Sequence, residues 1–279
     1  MAALDPRINA FRPELAAKSL QGQVEAKRFV EGTPRRVIEA IAGLRRAPRS
    51  DAALDTQALY GESITVYETT DEGWAWGQLA RDKYVGWLSA NALGSPGAAP
   101  THKVTAVRTL AFPAPDIKLP PVAALPFGAD IVMARGDDKF VTTDTGWHLP
   151  ARHLAPIGAK EGDFVAVAER FMGSPYLWGG KTAEGLDCSG LVQISLQACG
   201  MICPRDSDMQ EAALGQPVPL GRLQRGDLIF WKGHVAIARD STTLIHANAH
   251  HMAVAAEPAA EAIARIKKAG GEVTSVKRL

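Results

Sequence analysis

A cysteine at the start of a helical pattern is the feature that most constrains the fold of this chain. Within the stretch YLWGGKTAEGLDCSGLVQISL, Asp187 stands where a helix cap belongs, and Cys188 falls in the first helical turn. Four apolar residues then share one helical face: Leu191, Val192, Leu196 and Cys199. Gly200 follows as a C-terminal cap. Because a helix start favours a thiolate over a thiol, the pattern predicts a nucleophilic cysteine.

The opposing interpretation is an inert buried cysteine, which is the commoner fate of a cysteine in an apolar helix. A second stretch, GDLIFWKGHVAIARDSTTLIHAN, decides between the two interpretations. Its pattern predicts three strands, at residues 228–231, 234–239 and 244–247, with a turn at Asp240 between the last two. A catalytic base on one of these strands would give the cysteine a partner.

Two histidines on these strands supply that base and a residue to orient it. His234 and His246 lie on either side of Asp240 at equal spacing, so a hairpin there places them opposite or nearly opposite, on one sheet face. We therefore predict that Cys188 attacks, His234 takes its proton and His246 holds the imidazole of His234. Taken singly, His234 would be a core histidine with a satisfied ring, and His246 a strand-end residue near the surface.

Five separated segments carry a resemblance to a known family. They are YLWGG at 176–180, DCSGLV at 187–192, PRDS at 204–207, GDL at 226–228 and HVAI at 234–237. In this order they resemble the signature blocks of the NlpC family of bacterial cell-wall cysteine peptidases, with His246 as the third polar residue. The resemblance implies an α+β, papain-like fold with a helix on an antiparallel sheet. It also implies a γ-D-glutamyl-L-diamino acid endopeptidase, which hydrolyses the bond between γ-D-glutamate and a diamino acid (diaminopimelate) in peptidoglycan stem peptides.

The same resemblance implies roles for further residues of the site. Tyr176 aligns with a family tyrosine and would stabilise the oxyanion beside the backbone N–H of Cys188; the alternative is packing beside Trp178. Three residues would flank the cleft and bind the D-glutamyl α-carboxylate or the adjacent backbone: Asp187, Ser189 and Ser207. For Asp187, helix capping alone is the alternative.

The first half of the chain carries short β patterns in two copies. The first copy contains strand-like runs at residues 37–41, 44–48, 63–68, 74–79 and 84–88. In the second copy, residues 110–115 echo 44–48, and GWHLPARHL at 146–154 echoes GWLSANAL at 86–93. Such short strands with Gly and Pro turns predict small β-barrels. Both copies resemble bacterial SH3-like domains.

These patterns divide the chain into four parts. We predict an N-terminal extension at 1–32, a first SH3-like barrel at 33–97, a second at 98–157 and the papain-like catalytic domain at 158–279. The extension has a weak helical pattern at 15–24 and would lie against the body, with disorder as the alternative. Within the catalytic domain, helices are predicted at 163–172 and 257–268, with a last strand at 272–276.

The resemblance also assigns two residues of the first barrel to the substrate. In family members with this layout, the first SH3-like domain walls off the cleft and holds the free amine of the substrate's L-alanine. By motif match those residues are Glu62 in YGE and Tyr84 in KYVGW. The implied substrate is then a released L-Ala-γ-D-Glu-diaminopimelate peptide, as in cell-wall recycling. The alternative is a solvated turn residue for Glu62 and barrel core for Tyr84.

Composition excludes several other classes of function. A net charge of +1 argues against a nucleic-acid-binding protein or an anionic-membrane surface. No run of 18 apolar residues and no signal peptide are recognisable, and three cysteines are an odd number, so a cytoplasmic location without membrane insertion is expected. No cofactor or metal is predicted, since His250 and His251 lack a second set of ligands. Two alternatives stay open: an SH3-like binding module with a degenerate cysteine domain, and a thioester-based acyltransferase.

Overall fold

The computed structural model describes residues 4–279, and its contacts divide the chain after Ile157 into two compact units. The first three residues of the predicted extension lie outside the described residues. No helix within 4–279 combines the length and the apolar character that a bilayer crossing requires.

The N-terminal extension is a small sheet rather than a helix. Its strands are Phe11–Arg12, Leu15–Ala17 and Phe29–Val30. A 3-10 turn at Lys18–Leu20 follows the second strand. The helical pattern predicted for 15–24 is wrong, because the apolar residues of the extension pack into one cluster with aromatic residues of the neighbouring sheet. Arg12 also lies over the rings of Trp76 and Trp87, at 4.4 and 4.8 Å from their centroids.

A seven-stranded antiparallel sheet follows. Its strands are Thr33–Val37, Ile41–Arg45, Leu54–Leu59, Ser63–Thr69, Trp74–Leu79, Val85–Ser89 and Leu93–Gly94. The strand predicted at 37–41 is interrupted. Val37 and Ala40 accept hydrogen bonds from the backbone of Gly61 and Tyr60, so the chain bends between them and leaves Ile38 exposed. Apolar side chains from several of these strands, with Tyr84, form the core of this sheet.

The rest of the first unit consists of eight short strands in three small sheets. They are His102–Val104, Arg108–Ala111, Ala123–Pro126, Asp130–Ile131, Met133–Gly136, Phe140–Thr143, His148–Pro150 and Leu154–Pro156. The predicted internal echo is visible in the backbone. Val85–Ser89 and His148–Pro150 each lead into a 3-10 turn and then a short strand. The strand predicted at 110–115 ends at Ala111 because prolines at 113 and 115 cannot donate to a ladder. The predicted domain bounds in this unit stay predictions.

The second unit is built around a six-stranded antiparallel sheet. In spatial order the strands are Gln216–Pro217, Val273–Arg278, Leu228–Trp231, His234–Ala238, Thr243–Asn248 and Ala253–Pro258. A small hairpin, Lys181–Thr182 with Gly185–Leu186, precedes the cysteine helix, Cys188–Ala198. The other helices are Phe164–Glu169, Ser207–Ala213 and Ala259–Lys268, with a 3-10 turn at Leu220–Arg222.

Two of these helices position the site. The cysteine helix contacts both histidine-bearing strands, and Gly200 ends it with a positive φ of 76°, as the sequence predicts. The last helix contributes its buried alanines, Ala259 and Ala262, to an apolar cluster that also contains Ile229, Trp231 and Leu244 of the sheet. It begins at Ala259 rather than at the predicted 257, because residues 253–258 pair with the strand Thr243–Asn248.

Candidate active site

Asp187 organises the start of the cysteine helix. Its Oδ1 accepts from the backbone N–H of Gly190 at 2.6 Å, and its Oδ2 accepts from that of Gly179 at 2.8 Å. The guanidinium of Arg205, 1% exposed, donates to both oxygens at 2.9 and 2.7 Å. This bidentate ion pair joins the glycine loop to the helix start. A Cβ on Gly190 would stand 2.2 Å from the carbonyl oxygen of Gly180, so only glycine permits that approach.

This network leaves the carboxylate of Asp187 little capacity to accept hydrogen bonds from a substrate. Its two oxygens already accept five hydrogen bonds, counting that of the Ser189 hydroxyl at 3.2 Å, so the structure favours the capping role. Ser189 is itself buried and accepts from Arg205 at 2.9 Å. Ser207, partly exposed, begins the helix Ser207–Ala213. The substrate-binding roles of these three residues stay predictions.

The sulfur of Cys188 lies between the helix start and a histidine strand. The backbone N–H groups of Val235 and Ser189 both donate to it. Burial nevertheless raises the pKa of the Cys188 thiol to about 12, and the charge of Asp187 acts in the same direction, against the N–H groups and Arg205. The sequence-based expectation of a thiolate is therefore wrong for the free protein, since burial outweighs the helix start. The residue is a thiol at rest and needs a base.

The two predicted histidines meet. Nε2 of His234 and Nδ1 of His246 are 2.9 Å apart, and the ring centroids are 5.1 Å apart. The strands pair Ile237 with Ile245, so the turn is centred one residue later than predicted and the histidines are diagonal neighbours rather than directly opposite. A shift of this kind keeps both side chains on one sheet face. The prediction that they share a face is confirmed.

His234 is a neutral imidazole at rest. Burial lowers the pKa of His234 to about 3, and the charges of His246 and Arg265 act in the same direction. The ring of Trp231, directly opposite on the adjacent strand, lies 5.6 Å from that of His234. Since the N–H of Val235 donates to the Cys188 sulfur, the residue next to His234 in the chain contacts Cys188. A neutral imidazole on the strand that contacts the cysteine helix can accept the proton of a thiol as the sulfur attacks.

Glu257, which was not among the predicted site residues, extends the pair of histidines. Its Oε1 is 2.8 Å from Nε2 of His246, and the same oxygen forms an ion pair with Arg265. The helical pattern placed Glu257 in a first helical turn, where an exposed carboxylate is ordinary. Pro258 was the signal that could have corrected this, because proline favours the start of a helix and leaves the residue before it in an extended conformation.

Tyr176 lies near Cys188. Its backbone N–H donates to the carbonyl of Met252 at 2.9 Å. Burial raises the pKa of Tyr176 to about 12, and the charges of Cys188 and Asp187 act in the same direction. The phenol therefore keeps its proton and can donate a hydrogen bond. Its role as the second oxyanion donor stays a prediction.

Glu62 and Tyr84 are both buried in the first unit. The side chain of Glu62 is 1% exposed, and its Oε1 is 3.3 Å from Nη1 of Arg81, which also pairs with Asp130 at 2.7 Å. Glu62 is thus not the solvated turn residue of the alternative interpretation. Tyr84 is 4% exposed and belongs to the barrel core. Their contact with substrate stays a prediction.

The two buried histidines predict an acid-sensitive fold. Burial is the main cause that lowers the pKa of both His234 and His246. For His234 the folded pKa is about 3, so between pH 6.5 and about 3 its unfolded form binds more protons than its folded form, and His246 acts in the same direction. Stability should then fall as pH drops through this window, by up to about 1.4 kcal/mol per pH unit for each histidine. Urea denaturation at pH 7, 6 and 5 measures the slope.

A matched pair of variants isolates the histidine contribution. His234→Gln should flatten the slope of stability against pH, whereas His250→Gln, at an exposed position, should leave it unchanged. Equal slopes in the wild type and His234→Gln would contradict the assigned direction.

Comparison with known proteins agrees with this geometry. Residues 173–267 match the model of the NlpC/P60 family, and residues 44–93 match that of the bacterial dipeptidyl-peptidase Sh3 domain. A crystal structure of an NlpC/P60 family protein from Bacillus cereus superposes with a TM-score of 0.74 at 21% identity, covering 88% of this chain and 99% of that one. The predicted α+β, papain-like fold class is confirmed.

Two curated relatives extend across most of the chain. Dipeptidyl-peptidase 6 of Lysinibacillus sphaericus is 26% identical over 241 residues, which are 76% of this chain and 86% of that protein. Gamma-D-glutamyl-L-lysine dipeptidyl-peptidase of Bacillus subtilis is 30% identical over 200 residues, 65% of each. Residues 173–267 of the chain therefore form a domain of the NlpC/P60 family of cysteine peptidases, and residues 44–93 form a bacterial dipeptidyl-peptidase SH3 domain on its N-terminal side.

Proposed function

We propose that this protein hydrolyses the bond between γ-D-glutamate and the diamino acid of peptidoglycan stem peptides. The observation that carries the proposal is the contact between Nε2 of His234 and Nδ1 of His246. His234 begins the strand His234–Ala238, in which the backbone N–H of Val235 donates to the sulfur of Cys188. Acyl transfer to sulfur requires a base within reach of the thiol, and we place His234 in that role. The name of the Bacillus subtilis relative specifies a γ-D-glutamyl-L-lysine bond, which supports the same bond class here.

In the proposed reaction, the proton of the Cys188 thiol moves to His234 as the sulfur attacks the γ-carbonyl. The resulting oxyanion is stabilised by the backbone N–H of Cys188 and by the hydroxyl of Tyr176. His234 then gives its proton to the amine of the diamino acid, the C–N bond breaks, and a thioester remains on Cys188. Water hydrolyses the thioester and releases the γ-D-glutamyl carboxylate together with the thiol.

We further propose that the substrates are released stem peptides with a free L-alanine amine, bound by Glu62 and Tyr84. A buried ammonium requires a paired carboxylate, and Glu62 is a buried carboxylate. Arg81 lies beside that carboxylate, so the substrate ammonium and the Arg81 guanidinium would share the negative charge of Glu62. The names of both curated relatives, which are dipeptidyl-peptidases, support recognition of a free N-terminus. A role in cell-wall recycling in the cytoplasm belongs to this proposal.

Blocking the substrate amine should remove most of the activity. We expect N-acetyl-L-Ala-γ-D-Glu-diaminopimelate to be cleaved with kcat/KM at least about a hundredfold below that of the free peptide, because the acetyl group abolishes the ammonium charge. Chromatography of both peptides in one competition reaction measures the ratio. Glu62→Gln should reduce this discrimination, whereas Glu39→Gln, at an exposed position of the same unit, should preserve it.

The result also separates two parts of the proposal. Equal cleavage of the free and acetylated peptides would end the recycling hypothesis while leaving the peptidase in place. Cleavage of neither peptide by a folded enzyme would contradict the proposed bond.

A further inference from the structure

The Cys188–His234–His246 series does not end at His246. Nε2 of His246 lies 2.8 Å from Oε1 of Glu257, at the far end of its ring from His234. Glu257 is on the outermost strand of the sheet, Ala253–Pro258, and its carboxylate is also ion-paired with Arg265 of the last helix. The Glu257 side chain is only 10% exposed, whereas that of Arg265 is 30% exposed. Neither residue has a role in the reaction as described so far.

The chemistry of these groups fixes the direction of every hydrogen bond in the series. Burial opposes the charge on Glu257, but the hydrogen bond from His246 and the charge of Arg265 prevail and lower the pKa of that carboxyl. An ionised carboxylate only accepts, so Nε2 of His246 must donate to it. A neutral His246 then has a lone pair on Nδ1, which must accept from Nε2–H of His234.

The consequence reaches the nucleophile. With its proton on Nε2, a neutral His234 carries its lone pair on Nδ1, and this is the ring nitrogen left to accept the proton of Cys188. The opposite tautomer would present an N–H to the thiol and could not act as a base. The carboxylate also favours the imidazolium that forms on His234 during attack, acting through His246.

We propose that Glu257, held by Arg265, is a positioning residue that sets the tautomers of His246 and His234 and so leaves Nδ1 of His234 free to take the proton of Cys188. The inference rests on the Cys188–His234 pair of the proposed function. It adds two residues that act through His246 without contact with substrate.

The charged groups around the histidines allow a test in which two variants should change the basicity of the imidazole in opposite directions. His246 is influenced by Glu257, Arg265 and His251, and His234 by His246 and Arg265, with Trp231 as its uncharged neighbour. Removing the carboxylate makes the imidazole a weaker base. Removing Arg265 takes away a positive charge and makes the imidazole a stronger base. If the ion pair were only structural, both changes would weaken the site in the same direction.

The experiment measures alkylation of Cys188 by iodoacetamide in the 279-residue chain from about pH 2.5 to 8, a range that includes the pKa of about 3 for His234. We expect Glu257→Gln to slow alkylation at pH 7 by about tenfold or more, because it removes the charge that supports the required tautomer. Arg265→Gln should retain the rate at pH 7 and move the acid limb of the profile to higher pH. Glu261→Gln, an exposed carboxylate on the same helix, should match the wild type.

Each outcome decides the question. Alkylation rates within about twofold of the wild type in both variants, or an equal slowing in both, would overturn the inference. If Glu257→Gln fails to fold, the acid limb of Arg265→Gln decides alone, and an unchanged limb overturns the inference. Because iodoacetamide is not a peptide, this test is independent of the proposed substrate; failure of the substrate would appear as normal alkylation without peptide cleavage.

Discussion

Replacing Cys188 by alanine should abolish hydrolysis of L-Ala-γ-D-Glu-diaminopimelate. In the proposed reaction the sulfur of Cys188 is the atom that attacks, and the methyl group of alanine cannot form a thioester. By analogy with the loss of a catalytic nucleophile, we expect kcat to fall by about 10⁶-fold, to the background rate. Chromatographic detection of free diaminopimelate under single-turnover conditions measures the loss.

The loss should be chemical rather than structural. Cys188→Ala removes one sulfur atom, and we expect the free energy of unfolding to change by about 1 kcal/mol or less. Cys199→Ala, at the other end of the same helix, is the matched control and should retain full activity. Turnover by Cys188→Ala would exclude the nucleophile. Inactivity of the wild type with selective binding of wall fragments would instead favour the binding-module alternative.

Replacing His234 by alanine should slow acylation by about 10³-fold or more, within the range that a positioned general base contributes. The effect should be large because burial raises the pKa of Cys188 to about 12, so very little thiolate forms at neutral pH without the base. Rapid mixing with substrate and quantification of the released diamino acid measures the acylation rate.

The control for this variant is His250→Ala, which removes an exposed histidine two residues beyond the strand Thr243–Asn248. It should acylate at the wild-type rate. An unchanged rate in His234→Ala would remove His234 as the base. If raising the pH toward 12 restores much of the rate in His234→Ala, the defect lies in proton removal, as the account requires.

Much of the site was predictable because it depends on sequence patterns within short segments of the chain. The Asp187 cap, the cysteine at the helix start and the glycine stop at Gly200 depend on short-range geometry, which the sequence records directly. The shared face of His234 and His246 follows from the two-residue period of a strand, which tolerates an error of one residue in the turn centre.

What escaped prediction depends on contacts between distant segments. The protonation state of Cys188 depends on burial beneath other elements, which no local pattern contains. Glu257 became visible only when residues 253–258 paired with Thr243–Asn248 and carried its carboxylate to His246. The structure of the N-terminal extension was mispredicted for the same reason, since packing against aromatic residues of the neighbouring sheet overrode its weak helical pattern.

The central claim is that the sulfur of Cys188 becomes acylated by the γ-D-glutamyl group. Rapid-quench mass spectrometry tests it most directly, using an activated γ-D-glutamyl ester of L-Ala-D-Glu that acylates faster than the thioester is hydrolysed. The account predicts a burst of leaving group together with a single L-Ala-γ-D-glutamyl adduct, mapped to the peptide that contains Cys188. A burst with the adduct on Cys199, Cys203 or a non-cysteine residue, or steady turnover after selective alkylation of Cys188, would contradict it.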